Sequence, residues 1–315
     1  MEKCKKHGLI SPEQSDRLFR FFTACAALLA VMLMIGFFIQ LFWLSIPAIK
    51  EFGFRFLIST EWDPMNNVYG ALPAITGTLV TTAIAILIAA PVSFISAMFL
   101  VENAPTWIGV PVSHALDLLA AIPSIIYGMW GLFVFVPFMQ NHVQPFLAET
   151  LHLKFIPLFS GPYNGFGFLT AGIILALMVL PFICAVMRDV FRLVPPVLKE
   201  SAFGAGATSW EVTCDITMRY GARGLLGAVF LGLGRAVGET MAVLFVIGNT
   251  QLLPKSLFQS GSTIAATLAN NFAEADGIFK SSLFELGLVL LGMSFLIQVL
   301  AQMWLNRLSR KMGER

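Results

Sequence analysis

The sequence predicts an all-α integral membrane protein with six transmembrane helices, and three observations support this fold class. The chain of 315 residues is 57% hydrophobic and 12% charged, with a mean hydropathy of +0.80, and this composition excludes an ordinary water-soluble domain. Uncharged runs of about 20 residues or more, the length that a helix needs to cross a bilayer, recur along the chain. The short, alternating segments of a membrane β-barrel are absent from the sequence.

The uncharged runs place the helices in order along the chain. The first run is too long for the apolar core of a secretion signal and lacks a small-residue cleavage site, so it is expected to remain as a helix. We expect a cytoplasmic N-terminal segment at 1–20, a periplasmic loop at 46–70, a core of five helices within 71–306 and a cytoplasmic tail at 307–315. The predicted spans are 21–45, 71–100, 115–139, 167–187, 222–248 and 284–305.

Basic residues outside these spans lie mostly on one side of the membrane. Fourteen of the 20 Lys and Arg residues occur in the N-terminal segment, the 188–223 loop and the tail. The opposite side carries Lys50, Arg55, Lys154, Lys255 and Lys280. Because basic loops are retained in the cytoplasm, both termini and the 188–223 loop are predicted to be cytoplasmic.

The sequence contains no pattern that favours an enzyme. Cys4 and Cys214 fall on the predicted cytoplasmic side and Cys25 and Cys184 within spans, so disulfides are not expected. The four histidines are scattered without the spacing of a metal site. No glycine-rich phosphate loop followed by lysine occurs, so the chain is not expected to hydrolyse nucleotide itself.

Two charged residues interrupt the apolar run at 224–248. Arg235 lies about 17 Å from either end of a helix of that length, and a charge at such depth costs at least about 2.5–3.5 kcal/mol, which marks a functional site by default. The i, i+4 spacing predicts that Arg235 and Glu239 share one helix face. The alternative interpretation is an internal ion pair that satisfies only itself. Three glycines predict a stripe of close helix packing beside the pair: Gly227, Gly234 and Gly238.

Two features are predicted outside the membrane. Asp63 followed by Pro64 favours a break in the chain within the first external loop. In the third predicted external loop, 249–283, Ile264, Leu268 and Phe272 recur at i, i+4 and i+8. This pattern predicts a short amphipathic helix that stops at Gly277.

In the cytoplasmic loop between the fourth and fifth predicted spans, Glu200, Ser201 and Ala202 are followed after three residues by Gly206 and after nine more by Ile216. This spacing resembles the coupling loop of type I ABC-importer permeases. That pattern is E-A-A, three residues, G, nine residues and I, then leucine and proline. Ser201 stands at its second position and Met218-Arg219 at its leucine-proline ending. The resemblance implies that a loop at about 192–222 docks on an ATPase subunit, with a glycine at its corner because glycine accepts positive φ. The expected coupling residues are Glu200, Ser201, Ala202, Gly206, Trp210 and Ile216.

Other segments are similar to the phosphate-specific permeases of this class: 77–94, 118–133, 185–191, 232–250 and 266–275. This resemblance implies a bacterial inner-membrane subunit in contact with lipid. It also implies four kinds of partner: a second permease, two ATP-binding subunits that hydrolyse the ATP, a periplasmic phosphate-binding protein and inorganic phosphate, with no nucleic acid. No cofactor is expected on this chain. Arg235 would receive the anion, since its planar fork binds oxyanions bidentately, and Glu239 would orient it.

Three other interpretations remain open. A permease of the same class for sulfate or molybdate would share the loop and the buried arginine. An ion-coupled secondary transporter predicts inverted repeats and broken helices in corresponding halves, which the sequence does not suggest. A purely structural or signalling membrane subunit would not need the buried charged pair.

Overall fold

The computed structural model describes the backbone of residues 12–150, 157–253 and 255–313. Within those residues the protein consists of helices, turns and loops, with two isolated β-bridges and no strand. Cys4 and Lys154, which entered the predictions above, fall outside the described residues, as do His7 and His152.

The helices are numbered here in chain order. They are α1 (Pro12–Phe52), α2 (Arg55–Ile58), α3 (Leu72–Met98), α4 (Thr106–Ala121), α5 (Ser124–Thr150), α6 (Phe168–Arg192), α7 (Pro196–Gly204), α8 (Met218–Val237), α9 (Met241–Leu244), α10 (Ile264–Asn271) and α11 (Gly277–Gly313).

Four of the described helices are long and apolar enough to cross a membrane: Glu13–Phe52, Leu72–Asn103, Phe168–Arg192 and Gly277–Arg307. They coincide with the first, second, fourth and sixth predicted spans, although α1 extends beyond both ends of 21–45. The total of six spans stays a prediction, because the other two predicted spans are broken helices.

The third predicted span, 115–139, is wrong as one straight helix. Helices α4 and α5 meet there at a bend of 90°, with Ile122 and Pro123 in extended backbone. Proline has no N–H to donate and forces the preceding residue out of the helical region, so the helix ends at Ala121. The pair forms a fifth candidate span if it is counted as one unit.

The fifth predicted span, 222–248, is also broken. Helix α8 ends at Val237 with Gly238 as its C-terminal cap, and the four-residue helix α9 begins at Met241. Glycine is a poor helix residue because ordering it costs the most backbone entropy. We call residues 238–240 the α8–α9 break.

Helix α6 forms the centre of the bundle. In its most apolar window, 61% of the residues are buried, compared with none in α1. Glycines bring its neighbours close: a Cβ on Gly172 would lie 2.5 Å from Ile84 of α3, and a Cβ on Gly232 of α8 would lie 2.5 Å from Ile183. The Ile84 side chain of α3 therefore lies directly on the backbone of α6, and the Ile183 side chain of α6 lies directly on the backbone of α8.

A second core joins the segment between α2 and α3 to α11. Tyr69 is fully buried, and its ring stacks on that of Phe279 with centroids 5.3 Å apart. The predicted break at Asp63 is confirmed as a turn in which its carboxylate accepts hydrogen bonds from the Met65 N–H at 2.9 Å and the Asn66 amide at 2.6 Å. The Asn66 amide, and then the Met65 N–H, lower the pKa of Asp63.

The predicted amphipathic helix is confirmed as α10, but its predicted stop is wrong. The Thr263 side chain accepts a hydrogen bond from Ala266 N–H at 3.2 Å and caps the N-terminus. The Ile264 N–H donates to Thr78 Oγ1 of α3 at 3.0 Å, so this end is fixed to the bundle. The helix ends at Asn271, whereas Gly277, with φ +55°, begins α11.

Candidate functional site

Arg235 lies in the last turn of α8, beside the α8–α9 break. Its guanidinium carbon lies 5.5 Å from the ring centroid of Phe182 in α6, within the range of a cation–π contact. The side chain is otherwise exposed in this single chain. The guanidinium is thus held beside an aromatic ring while the residue stays exposed.

Glu239 lies in the break itself and binds backbone. Its Oε1 accepts a hydrogen bond from Ala242 N–H at 3.2 Å, and its own N–H donates to Ala236 O at 3.3 Å. The predicted common helix face is therefore wrong, because the helix ends between the two charges. Among the described ion pairs none joins Arg235 to Glu239.

Helix α5 borders the same break, which the sequence did not indicate. A Cβ on Gly128 would lie 2.9 Å from Met241 O and 3.1 Å from the Ala242 Cα, so α9 rests directly on the α5 backbone. The break is thus enclosed by α5 and α6 on one side.

The predicted glycine stripe is packed at one of its three positions. A Cβ on Gly234 would meet the Gln298 amide of α11 at 2.3 Å, whereas Gly227 has no neighbour within 4 Å. A Cβ on Gly238 would lie 3.9 Å from Gly234 O, within α8 itself. The glycines that bring α8 close to α6 lie elsewhere on the helix, at Gly224 and Gly232. At the C-terminal end of α8, the face that carries Arg235 and Gly238 is exposed and open in this chain.

The coupling segment, residues 196–216, turns sharply at Gly206. Its φ is +89°, as predicted for the corner, and apart from its two chain neighbours no described residue lies within 4 Å of where its Cβ would be. Glycine is therefore required here by backbone conformation and not by space. Thr208 and Glu211 then form a capping box, with Thr208 N–H donating to Glu211 Oε2 at 2.7 Å.

The remaining predicted coupling residues lie on the surface of this segment. Glu200 and Ser201 are exposed and Ala202 is half-buried on α7, and Ile216 is half-buried in the turns that lead into α8. Trp210 is 67% exposed. A large aromatic side chain with so little cover is suited to contact with a partner.

Two ion pairs, which sequence reasoning missed, hold the base of this segment. Lys199 Nζ lies 2.6 Å from Glu102 Oε1. Arg188 Nη2 lies 3.0 Å from Asp117 Oδ1, and its Nη1 donates to Ser113 O at 3.3 Å. From the sequence alone, Lys199 and Arg188 contributed only to the prediction of which side of the membrane this loop lies on. The contacts place the α3–α4 connection on the same side of the bundle as the coupling segment.

A family model described as "Binding-protein-dependent transport system inner membrane component" matches residues 89–313. The chain is 50% identical to the phosphate transport system permease protein PstC of Haemophilus influenzae, with 95% of this chain and 96% of that protein covered. It is 49% identical to the protein of that name from Mesorhizobium japonicum, with 95% and 92% covered.

Two solved transporters share the fold at 16% identity. A chain of the bacterial alginate ABC transporter in complex with alginate pentasaccharide-bound periplasmic protein matches with a TM-score of 0.57, covering 93% of this chain and 98% of that one. A chain of the inward-facing MetNI methionine ABC transporter matches with a TM-score of 0.55, covering 78% and 99%.

Proposed function

We infer that phosphate crosses the membrane past the α8–α9 break of this chain, which belongs to the family of binding-protein-dependent transport system inner membrane components. The chain is a permease subunit of a phosphate ABC importer. The observation that carries the placement of the path is the position of Arg235 at a helix break, beside the Phe182 ring and exposed.

The chemistry of Arg235 suits an oxyanion. A guanidinium stays charged at every relevant pH and offers parallel N–H donors that match two oxygens of phosphate. The contact with Phe182 is a cation–π contact and uses no hydrogen-bond donor of the group. At the end of a broken helix the anion also meets irregular backbone, which membrane proteins place only where it is buried or lines a pathway.

Glu239 is proposed to read the protonation of the substrate. A carboxylate has several acceptor positions, so its bond to Ala242 leaves capacity for a hydrogen bond from a P–OH group. Sulfate near neutral pH has no such proton and would face a like charge. Sites built around one hydrogen bond reject analogues that lack it strongly.

The open face of α8 supports a pathway shared with other subunits. Arg235 is exposed in this chain although it lies within an apolar run, and such a charge needs cover in the membrane. We propose that a second permease subunit provides the other half of the path. Two ATP-binding subunits are proposed to dock on the coupling segment, and an external binding protein to deliver phosphate.

The proposal is tested by uptake of labelled phosphate into proteoliposomes that contain the whole transporter. We expect Arg235→Ala to abolish uptake and Arg20→Ala, which removes an exposed arginine of α1, to leave it unchanged. Excess sulfate or molybdate should not compete in the wild type. Full competition by either anion would identify a permease for that oxyanion instead, and normal uptake by Arg235→Ala would place the pathway elsewhere.

A further inference from the structure

We propose that the Lys199–Glu102 and Arg188–Asp117 ion pairs are a mechanical relay: they transmit displacement of the coupling segment through α4 and α5 to the α8–α9 break. The inference rests on the proposed function in that the coupling segment is taken as the part moved by ATP. The four side chains are positioning residues, since none lies at the break itself.

The first step joins the coupling segment to the α3–α4 connection. Lys199 lies on α7 immediately before Glu200, and its partner Glu102 follows the end of α3. The two side chains are only 19% and 16% exposed. A contact of 2.6 Å with so little water around it is screened less by salt than a surface pair. The connection must therefore follow α7 when the segment moves.

The second step joins α6 to the end of α4. The Arg188 side chain is 8% exposed and binds α4 twice, at the Asp117 carboxylate and at Ser113 O. Contacts one turn apart on the same helix fix both its position and its rotation about its axis. Because α6 continues into α7 after three residues, this unit is bound both to the α3–α4 connection, through Glu102, and to α4 itself, through Asp117 and Ser113.

The third step passes through the bend. Asp117 lies five residues before Ile122, where α4 meets α5 at 90°. The Tyr127 hydroxyl of α5 donates to Leu119 O of α4 at 3.0 Å, across the bend. This bond holds the angle between α4 and α5. When α4 rotates, α5 therefore moves with it as one rigid unit.

The last step reaches the break. Gly128 lies one residue after Tyr127, and its Cα lies against Met241 O and Ala242 of α9 with no room for a Cβ. The Ala242 N–H in turn holds Glu239. Displacement of α5 therefore moves the residues that hold the carboxylate, and it changes the position of Glu239 relative to Arg235 on α8.

A purely structural role for the ion pairs predicts a different result from a relay. Pairs that only hold the fold would, when broken, lower the amount or the stability of the complex while each remaining molecule keeps its normal phosphate transported per ATP. Relay pairs would lower that ratio in complexes that assemble normally. The ratio therefore separates the two roles.

The test uses the whole transporter in proteoliposomes with loaded external binding protein. Lys199→Met, Glu102→Gln and Asp117→Asn should each lower phosphate transported per ATP by at least about fivefold, the lower range of typical coupling between sites. The reversed pair Lys199→Glu with Glu102→Lys should recover at least half of the ratio. Asp16→Asn, which breaks an exposed ion pair of α1 with Arg20, is the matched control and should keep the wild-type ratio.

A second measurement does not depend on the transported substrate. Spin labels at exposed Met241 of α9 and exposed Leu33 of α1, in a background without native cysteines, report how α9 moves when ATP binds the complex. We expect an ATP-dependent distance change in the wild type that disappears in Lys199→Met and returns in the reversed pair.

Either of two results would overturn the relay: a normal ratio in the single variants, or an ATP-dependent distance change that survives in them. Failure of the reversed pair to recover would also overturn it. A wild-type complex that shows the distance change yet does not transport phosphate would instead refute the proposed substrate and leave the relay supported.

Discussion

The coupling segment and the α8–α9 break are both places where a helix is interrupted, but different interactions hold the two conformations. At the coupling segment, Gly206 adopts φ +89° with empty space around it, and neighbouring side chains cap the helix that follows. At the break, Gly128 of α5 presses against α9 from a distant part of the chain. The corner is set by local backbone conformation, whereas the break combines a local glycine, Gly238, with tertiary packing of α9 on α5, so glycine substitutions at Gly206 and Gly128 should fail for different reasons.

The largest effect is expected for Gly206→Val. A β-branched residue in the left-handed region is strained by about 1–2 kcal/mol or more, so the corner should change shape and phosphate uptake should be lost. The permease should still insert and be present at normal levels in the membrane. The control is Gly36→Val, at an exposed helical glycine of α1 that also has open space and lies outside the coupling segment. Normal uptake by Gly206→Val would show that the corner conformation is not needed for coupling.

A smaller effect is expected for Gly128→Ala, which tests the packed side of the comparison. The added Cβ would overlap the α9 backbone, and overpacking of this kind typically costs about 1–3 kcal/mol. Uptake should fall several-fold, whereas Gly36→Ala, at an exposed glycine of α1 whose added Cβ would meet no described residue within 4 Å, should have no effect. Equal uptake by the two alanine variants would mean that α9 is not held by α5.

The third prediction concerns selectivity at the break. Glu239→Gln keeps the size of the side chain and removes its charge, so phosphate transport should weaken and rejection of sulfate should relax. The measurement is the phosphate-to-sulfate ratio of a variant complex that transports without its binding protein. If phosphate flux falls at a constant ratio, Glu239 serves only to hold α9 through Ala242.

The smallest effect is expected for pH at the coupling segment. Hydrogen bonds from Thr208 N–H, and then from its side chain, lower the pKa of Glu211 below the ordinary value of 4.5. Its contribution to local stability is therefore complete above that value and is lost as pH falls through the lowered pKa. In the wild type, amide hydrogen exchange at residues 208–212 should be faster below the lowered pKa of Glu211 than above 4.5. In Thr208→Ala, exchange should be fast in both of these pH ranges. No pH dependence in the wild type would mean that the box adds nothing to stability.

The sequence predicted the features that local physics determines. Long uncharged runs located α3 and α6, Asp63 before Pro64 located a turn, and Gly206 was identified from its motif and has the expected positive φ. It failed where a distant contact decides. Pro123 and Gly238 were present as possible helix breaks inside two predicted spans, but the apolar length of those runs outweighed them in the prediction.

The Lys199–Glu102 and Arg188–Asp117 contacts join residues 97 and 71 positions apart. No local sequence pattern indicates such contacts. The roles assigned to Arg235, Glu239 and the coupling residues stay predictions.

The pairing of α1 with α11 has a consequence for how the chain is made. Helix α1 packs against α11, and Ser45 and Ala48 are fully buried, while its most apolar window has no buried residue. The ribosome must synthesise more than 200 residues between the two helices, which takes roughly 10–50 s at ordinary rates. During this interval α1 has lipid where α11 will later pack, and an apolar helix with one buried serine tolerates that. Loss of α11 by truncation would leave α1 in the membrane without the helix that it packs against. Such a chain would form whenever translation stops early.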